Sequence, residues 1–292
     1  MLDDYTKRNL VNDFHVHTIY SDGKWSVEQT FENMVKNGIK KFAFCDHNVI
    51  GAVEYARKYS FSQKYGIDFI NAVEVYVWYG EYLFDVLYYG FNLSKVINCQ
   101  AFTFENVQHI NRGIMAELCD KGEKLGLHFD RELLFDSHNI GGRSTFYEEL
   151  EKYKENFDFL SRLSKTQMIR DMTDKNPLSI DYKKHYMSLL ELREICNKCG
   201  GILSLAHPFN RYTWKDQNQF VYDILDSKCI DAIECYHTSH TPREAGYLKQ
   251  LANQNGLLIT GGSDSHNSGT PFGTYNHGRT PIPELDFWQK LR

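Results

Sequence analysis

Two kinds of hydrophobic pattern alternate along this chain. Short segments that are rich in apolar, β-branched and aromatic residues predict strands. Longer segments with an apolar period of about 3.6 residues lie between them and predict amphipathic helices. The predicted strands are 12–17, 41–47, 67–76, 81–91, 201–207, 230–236 and 257–264. Because strands and helices alternate, the pattern predicts an α/β fold with a mostly parallel sheet or barrel.

The first predicted helix carries signals at both ends, and a long insertion follows later. Ser26 and Gln29 form a capping box before the helix, and Gly38 stands where a left-handed residue ends it. The alternation then breaks over 92–187, a stretch of helical, aromatic and charged sequence far longer than a usual connecting loop. We therefore expect a main domain formed by 1–91 and 188–292, with 92–187 as a helical insertion, or cap.

Composition and charge narrow the class of protein. The 292 residues include 42% hydrophobic and 24% charged residues, which is typical of a globular protein with an ample core. With 33 basic and 38 acidic residues the net charge is -5, so no chain-wide positive field favours a stable nucleic-acid complex. The N-terminal segment lacks the pattern of a signal peptide, and no apolar run is long enough to span a bilayer. We expect a cytoplasmic protein without a membrane partner.

The cysteines do not form the paired framework of a small secreted domain. Their number is odd and they are scattered through apolar stretches, at Cys45, Cys99, Cys119, Cys196, Cys199, Cys229 and Cys235. We expect them to be reduced residues of the core. Cys196 and Cys199 form a CxxC, but a lone pair cannot complete a tetrahedral zinc site.

Side chains that bind metals recur at the ends of the predicted strands. Period-two alternation in the first strand sends His15 and His17 to the same side, so that two imidazoles project together. Further acidic or imidazole residues belong to later strands or follow them directly: Asp46, His47, Glu74, His207, Asp264 and His266. The carboxyl ends of strands in a barrel or a doubly wound sheet lie on one rim, where functional groups converge.

Each of these residues also has an ordinary structural explanation. Asp46 could cap the following helix, Glu74 could form a salt bridge, and Asp264 could anchor a turn. The coincidence of donors on five separate strands nevertheless favours a shared metal site. A mixed set of nitrogen and oxygen donors suits Mn²⁺, Zn²⁺ or Fe²⁺ and suits Ca²⁺ poorly.

The motifs, taken in order, resemble one known family. They are His15-Val16-His17-Thr18 followed by Ser21-Asp22-Gly23, then Cys45-Asp46-His47-Asn48, Val73-Glu74-Val75, Leu205-Ala206-His207-Pro208 and Gly262-Ser263-Asp264-Ser265-His266. This series resembles the polymerase and histidinol phosphatase (PHP) family over nearly the whole chain, and most closely its stand-alone members that act on nucleotides. The resemblance implies a distorted (β/α)7 barrel with a helical cap and a cluster of two or three divalent metal ions.

The resemblance also implies a set of ligands. One metal ion is expected on His15, His17, Glu74 and Asp264, and a second on Glu74 and His207. A third is expected between Asp22, His47 and His266. Asp85 departs from the family pattern, because relatives often carry a histidine ligand for the second metal there. Asp85 is expected either to substitute as an oxygen ligand or to be an ordinary residue near the start of a strand.

Substrate contacts are expected from two further residues. Arg143, in Gly141-Gly142-Arg143-Ser144, resembles the arginine with which nucleotide-acting relatives hold phosphate, and its fork of donors suits that task. His240, in the segment Glu234-Cys235-Tyr236-His237-Thr238-Ser239-His240, is a candidate for phosphate contact or for protonation of the leaving group. His207, Asp264 and His240 are the expected catalytic residues.

The expected function is hydrolysis of phosphomonoesters by a metal-activated hydroxide. The expected partner is a small phosphorylated substrate of nucleotide type: a nucleoside monophosphate, a 3',5'-bisphosphate or an oligonucleotide end. Three alternatives stay open at this point. They are a histidinol-phosphate phosphatase, a hydrolase of C–N or carboxylic ester bonds of the amidohydrolase type, and a metal-stabilised binding module without catalysis.

Overall fold

The structure is a computed structural model that describes residues 10–136, 140–171, 175–210 and 217–291. The strands in this part of the chain are β1 Asn12–Val16, β2 Lys41–Phe44, β3 Asp68–Ile70, β4 Ala72–Tyr79, β5 Tyr82–Tyr89, β6 Ile202–Leu205, β7 Ala232–His237, β8 Leu258–Gly262, β9 Thr274–Tyr275 and β10 Thr280–Pro281. Each predicted strand has a counterpart among them. The single strand predicted at 67–76 was wrong, because β3 and β4 divide it and belong to different sheets.

The strands form a mixed α/β fold rather than a uniformly parallel sheet. One sheet has the order β1-β2-β3 with parallel pairs, and the other has the order β4-β5-β6-β7-β8. In the second sheet β5 is antiparallel to both β4 and β6, whereas β6, β7 and β8 are mutually parallel neighbours. The antiparallel pair arises locally, because only Gly80 and Glu81 separate β4 from β5. Gly80 has a φ of 57°, which a tight hairpin needs.

The two large sheets meet at the ends of their strands. An isolated parallel bridge pairs Val16 with Ser265, beyond the end of β8, and another pairs His47 with Glu74 of β4. The amide of His17 donates to the carbonyl of Ser265 over 3.1 Å, and the amide of Asn48 donates to the carbonyl of Glu74 over 2.7 Å. These contacts bring together the segments that carry the predicted metal ligands.

The helices of the described chain are α1 Val27–Lys36, α2 Gly51–Lys58, α3 Phe61–Tyr65, α4 Leu93–Val96, α5 Phe104–Lys124, α6 Arg131–Asp136, α7 Arg143–Leu150, α8 Phe157–Leu160, α9 Lys165–Arg170, α10 Leu189–Cys199, α11 Gln217–Asp226 and α12 Pro242–Gln254. Short 3₁₀ helices cover Gln100–Phe102, Lys154–Asn156, Tyr182–Lys184 and Phe287–Leu291. The capping box of Ser26 and Gln29 is confirmed at the start of α1. No helix in the described ranges is both long and apolar enough to cross a membrane.

The described residues form two compact units. The first, called the strand unit below, contains the described strands and consists of 10–103, 187–210 and 217–291. Its core includes Phe14, Leu87 and Phe287, which are buried. The second, called the insertion below, is helical and spans Phe104–Tyr186. The insertion has a core of its own, in which Met115, Leu118, Phe146, Leu150, Met168 and Leu178 are among the buried side chains.

Candidate metal centre

Strand β1 presents two buried imidazoles side by side. His15 and His17 are both 0% exposed, and their Nε2 atoms lie 3.1 Å apart. Gly262 at the end of β8 permits this arrangement, since a Cβ at that position would collide with the backbone and Cβ of His15. The close approach of β8 places Asp264, two residues beyond the strand, beside the histidine pair. The amide of Asp264 donates to the carbonyl of His15 over 2.9 Å.

Two carboxylates complete a set of four donors around the histidine pair. The Nε2 atoms of His15 and His17 both lie 3.3 Å from Oε2 of Glu74. Their distances to Oδ1 of Asp264 are 3.4 Å and 3.0 Å, respectively. A tetrahedral metal ion with bonds of ~2.0 Å has donors ~3.3 Å apart, so the five separations that involve a histidine Nε2 match edges of such a site. The donor set therefore fits a transition-metal ion.

The ring orientations of two histidines leave their Nε2 lone pairs available to a metal ion. Nδ1 of His15 donates to Oε1 of Glu234 over 3.0 Å, and Nδ1 of His266 donates to the carbonyl of Asp264 over 2.9 Å. A histidine that donates from one ring nitrogen presents a lone pair at the other when neutral. A ring fixed by a carboxylate or carbonyl is the usual arrangement around a metal-binding histidine.

A second group of donors lies on the other side of Glu74. Nε2 of His207 lies 2.9 Å from Oε1 of Glu74, and His15, Glu74 and His207 form a compact donor group. Asp85 is buried on β5, with Oδ2 3.6 Å from the same His207 nitrogen. Glu74 thus faces two donor groups with its two oxygens, as a bridging carboxylate would.

A third donor group consists of His17, Asp22, His47 and His266. Oδ1 of Asp22 lies 3.2 Å from Nε2 of His266, and Oδ2 lies 3.7 Å from Nε2 of His47. The loop that presents Asp22 folds back tightly, and a Cβ at Gly23 would collide with the backbone of His17. Asp22 is the most exposed member of this group, with 58% of its side chain accessible.

Asp46 holds the loop after β1 rather than joining a donor group. Its carboxylate accepts hydrogen bonds from the amide and hydroxyl of Thr18, both over 2.8 Å, and from the hydroxyl of Ser21 over 2.6 Å. Every one of these contacts orders the Thr18 to Gly23 turn. The suggestion that Asp46 caps the next helix is replaced by this role, because the N-cap of α2 is Ile50.

Backbone strain collects at two of the predicted ligands. Asp264 has a φ of 53° and His207 has a φ of 24°, a region that residues other than glycine rarely adopt. The amide of His207 is held by Oε2 of Glu234 over 2.8 Å. Such outliers persist where surrounding contacts enforce them, and they cluster at functional sites.

The charges of the site require a cation. Burial alone would raise the pKa of the Glu74 carboxyl, but the charges of His15 and His47 and the hydrogen bonds of the histidine pair lower it well below its usual range. Burial lowers the pKa of His17, but Asp264 and Glu74 outweigh that effect and raise it to about 10. The buried carboxylates are therefore stabilised by positive charge, which either imidazolium protons or metal ions can supply.

His240 and Arg143 lie outside these donor groups. His240 is buried, and its Nδ1 donates to the carbonyl of Cys235 over 3.0 Å. Burial, assisted by the neighbouring His237, lowers the pKa of His240 to about 3, so the ring is neutral near pH 7. Arg143 is the first residue of helix α7 in the insertion and is half-buried.

Three buried polar residues of the site were missed by the sequence analysis. Glu234 contacts both His15 and His207, and Nε2 of His237 lies 3.2 Å from Oδ2 of Asp264. Asp13 accepts hydrogen bonds from the amide and hydroxyl of Ser263 and from a backbone amide of the β9 region. Glu234 lies in an apolar strand just as Glu74 does, and that shared pattern was the signal that could have found it.

Comparison with known proteins identifies a family. The model of the PHP domain family matches residues 13–232 of this chain. A phosphoribosyl 1,2-cyclic phosphate 1,2-diphosphodiesterase from Eggerthella lenta is 23% identical over 290 residues, covering 94% of this chain and 100% of that protein. The 5'-3' exoribonuclease Rnm from Escherichia coli is 22% identical over 266 residues, covering 89% of this chain and 87% of that protein.

Solved structures have a similar fold. An amidohydrolase from Chromobacterium violaceum, with bound sulfate and no metal, has a TM-score of 0.67 at 20% identity and covers 96% of this chain and 95% of its own. A proposed metal-dependent phosphoesterase from Bifidobacterium adolescentis has a TM-score of 0.60 at 20% identity, covering 96% of this chain and 94% of its own. At this identity the similarity establishes the fold alone.

Proposed function

The chain belongs to the PHP domain family and is a metal-dependent hydrolase of phosphoric esters, and from this premise we propose that it cleaves phosphomonoesters of small, nucleotide-like molecules. The non-catalytic alternative is thereby set aside. The observation that carries the proposal is that the Nε2 atoms of His15 and His17 lie 3.0 to 3.4 Å from one another and from the carboxylates of Glu74 and Asp264.

We assign the donors to two or three divalent ions, Mn²⁺, Zn²⁺ or Fe²⁺. The first ion would be held by His15, His17, Glu74 and Asp264, the second by Glu74, His207 and Asp85, and the third by Asp22, His47 and His266, with His17 nearby. Bound divalent ions supply positive charge for phosphate oxygens and acidify water near neutral pH. Glu74 would bridge, since its two oxygens face different donor groups.

Glu234 is proposed to position the ligands without binding phosphate itself. Its Oε1 fixes the tautomer and ring plane of His15, and its Oε2 fixes the strained backbone of His207. One buried carboxylate thereby orients residues of the first and second donor groups. Carboxylates behind metal-binding histidines usually strengthen metal affinity by 10–100-fold.

Substrate contacts are proposed for Arg143 and His240. Arg143 is the first residue of α7, and a guanidinium can donate to two phosphate oxygens at once. The neutral His240 ring carries its proton on Nδ1, so its Nε2 can accept a hydrogen bond from a substrate hydroxyl or from water. This tautomer favours substrate contact for His240 over protonation of the leaving group.

The sheets are proposed to close into a distorted barrel. The bridges Val16 to Ser265 and His47 to Glu74 connect the ends of β1 with β8 and of β2 with β4. Closure of this kind places the carboxyl ends of several strands around one mouth, as the shared donor groups require.

A phosphodiester substrate is the second candidate. The observation in its favour is that both curated relatives have names that denote cleavage of phosphodiester bonds, one of a cyclic phosphate and one of RNA. The same donor groups would serve either ester, because both reactions require binding of phosphate oxygens and activation of water.

A substrate panel tests the proposal. Phosphate release or ring opening would be measured with a nucleoside 5'-monophosphate, a 3',5'-bisphosphate, a 5'-phosphorylated oligonucleotide, histidinol phosphate and a ribose cyclic phosphate, each with Mn²⁺, Zn²⁺ or Fe²⁺. We expect the highest kcat/KM on a nucleotide monoester. Cleavage of the cyclic ester alone would favour the diester candidate. Hydrolysis of amide or carboxylic ester substrates without any phosphoester cleavage would overturn both.

A further inference from the structure

Two cysteine thiols from distant parts of the sequence face each other in the strand unit. Sγ of Cys99 lies 3.9 Å from Sγ of Cys199. Cys99 follows helix α4 and is half-buried, whereas Cys199 ends helix α10 and is only 4% exposed. Both thiols are free, and neither residue belongs to the donor groups of the metal centre.

Backbone contacts hold the two segments in register. The amide of Asn92, which precedes α4, donates to the carbonyl of Cys199 over 2.9 Å. The ammonium of Lys95 donates to the carbonyl of Lys198 over 3.2 Å. Because these bonds flank the thiols, the sulfurs need to approach by only ~2 Å to reach the bond length of a disulfide.

The neighbouring Cys196 has a different environment. Its thiol contacts the carbonyl of Gly200 and the guanidinium of Arg193, both at 3.8 Å. Cys196 and Cys199 are one turn apart on α10, so the CxxC spacing seen in the sequence suggests them as a pair. The structure instead directs the Cys199 thiol toward Cys99.

Cys199, the less exposed thiol of the pair, lines a basic cavity. A cavity of about 450 Å³ is lined by Cys199, the backbone of Gly200 and Gly201, and the lysines Lys95, Lys198 and Lys290. Burial raises the pKa of the Cys199 thiol, and the nearby Lys95 and Lys198 act in the opposite direction. A cavity with this charge attracts a small anionic reagent to Cys199, whose sulfur lies 3.9 Å from that of Cys99.

We propose that Cys99 and Cys199 are a modification site that forms a reversible intramolecular disulfide with a low-molecular-weight anionic disulfide, such as glutathione disulfide. The more accessible Cys99 thiolate attacks one sulfur of the reagent and releases one equivalent of reduced thiol. Cys199, as the thiolate, then attacks Sγ of Cys99 and releases the second equivalent. Two protein thiols lose two protons and two electrons, and the reagent disulfide is reduced to two thiols.

The disulfide would close a loop that contains the whole insertion. Cys99 stands shortly before the insertion begins at Phe104, and Cys199 ends the first helix after Tyr186. A bond between these positions restricts the unfolded chain over about a hundred residues, and the restriction grows with loop length. The oxidised protein should therefore unfold at a higher temperature than the reduced protein.

Thiol titration with peptide mapping tests the proposal on the full-length protein. The chain would be equilibrated in glutathione redox buffers from fully reducing to fully oxidising, quenched by alkylation and digested. We expect the oxidised chain to lose two of its seven thiols, to yield a Cys99–Cys199 linked peptide, and to gain several degrees in Tm. The Cys196→Ser variant should behave in the same way, and Cys99→Ser and Cys199→Ser should lose both the linked peptide and the gain in Tm.

Three outcomes would overturn the proposal. They are retention of all seven thiols under the most oxidising buffer, a linked peptide that joins Cys196 to Cys199, and an equal gain in Tm for Cys99→Ser. The thiol readouts do not depend on phosphoester hydrolysis. Failure here would leave the proposed function intact, and failure of the substrate panel would leave this site intact.

Discussion

Buried polar side chains of the metal centre in the strand unit face one another, whereas the buried Asn156 and Asn176 of the insertion face the backbone. The nitrogens and oxygens of His15, His17 and Glu74 lie within 3.1 to 3.3 Å of each other in the strand unit. In the insertion, Asn156 accepts from the amide of His128 over 2.9 Å and donates to its carbonyl over 2.7 Å. The first arrangement concentrates charged groups, and the second satisfies the hydrogen bonds of buried backbone groups.

The difference separates a site for a ligand from structural support. The amide of Asn176 donates to the carbonyls of Met168 and Asp171 and accepts from the amide of Leu178, so its hydrogen-bonding capacity is used within the insertion. The facing groups of the strand unit are carboxylates and imidazoles, and the buried carboxylates need positive charge from imidazolium protons or from metal ions. Burial of a polar side chain therefore does not by itself indicate a functional site. Close contact with other ionisable side chains is the better indication.

The largest expected effect is loss of activity when a facing group is removed. Asp264→Ala and His17→Ala should each lower kcat/KM by roughly a thousandfold or more, because the first ion loses a ligand. The metal-free variants should remain folded, because the core of the strand unit does not include either side chain. Steady-state kinetics and thermal melts check both points. Full activity in either variant would remove that residue from the site.

Glu234 tests the positioning of the proposed ligands, because it contacts His15 and the backbone of His207. Glu234→Gln should weaken metal affinity by about 10–100-fold, since the amide holds the His15 ring less firmly and without charge. Competition with a chromophoric chelator measures the affinity directly, apart from activity. Glu244→Gln, at the exposed start of α12, is the matched control and should leave the affinity unchanged. Equal affinity in wild type and Glu234→Gln would show that the ligands are positioned without this carboxylate.

Arg143 tests whether the insertion contributes to substrate binding. Arg143→Ala should raise KM by roughly tenfold with little change in kcat, because the arginine is proposed to hold phosphate in both the ground and the transition state. Arg131, which pairs with Asp120 and Glu123 on the insertion surface, provides the control substitution. An unchanged KM in Arg143→Ala would confine the substrate contacts to other residues.

The smallest expected effect on the metal site comes from the backbone-facing asparagines. Asn176→Ala should destabilise the fold by about 2 kcal/mol, because three buried backbone groups lose their partner. Metal affinity should not change. Asn98→Ala is the control. The exposed side chain of Asn98 donates to the carbonyl of Ser94, and its loss should lower the free energy of unfolding by less than about 0.5 kcal/mol. Chemical denaturation measures the loss of stability, and chelator competition measures metal affinity. Weaker metal binding in Asn176→Ala would show that this asparagine also supports the metal site.

The sequence revealed the donors whose spacing follows from simple strand geometry. His15 and His17 share a face because side chains alternate along β1, and the family resemblance, now confirmed, supplied the order of the remaining motifs. Glu234 was missed because one acid in an apolar strand also suits a structural ion pair. Only the three-dimensional contact of Glu234 with His15 and His207 reveals its position behind the ligands.

The strand pairing was harder to predict than the strands. The break at Asn71 between β3 and β4 is one residue long, too short to interrupt an apolar pattern. Its consequence is large, because β3 pairs with β2 and β4 pairs with β5 in the other sheet. The Gly80 turn was a local signal for the antiparallel hairpin. The antiparallel pairing of β5 with β6 joins two strands that the insertion separates in the sequence, and no local pattern specifies it.

Elemental analysis of the purified chain measures whether the proposed donor groups bind divalent metal ions. The protein would be purified without chelator, reconstituted with Mn²⁺, Zn²⁺ or Fe²⁺, freed of excess ion, and compared with Glu74→Gln treated in the same way. We expect about two or three ions per wild-type chain and fewer in the variant, because Glu74 faces two donor groups. Wild-type protein that retains no divalent ion, or a variant that retains as many as the wild type, would contradict it.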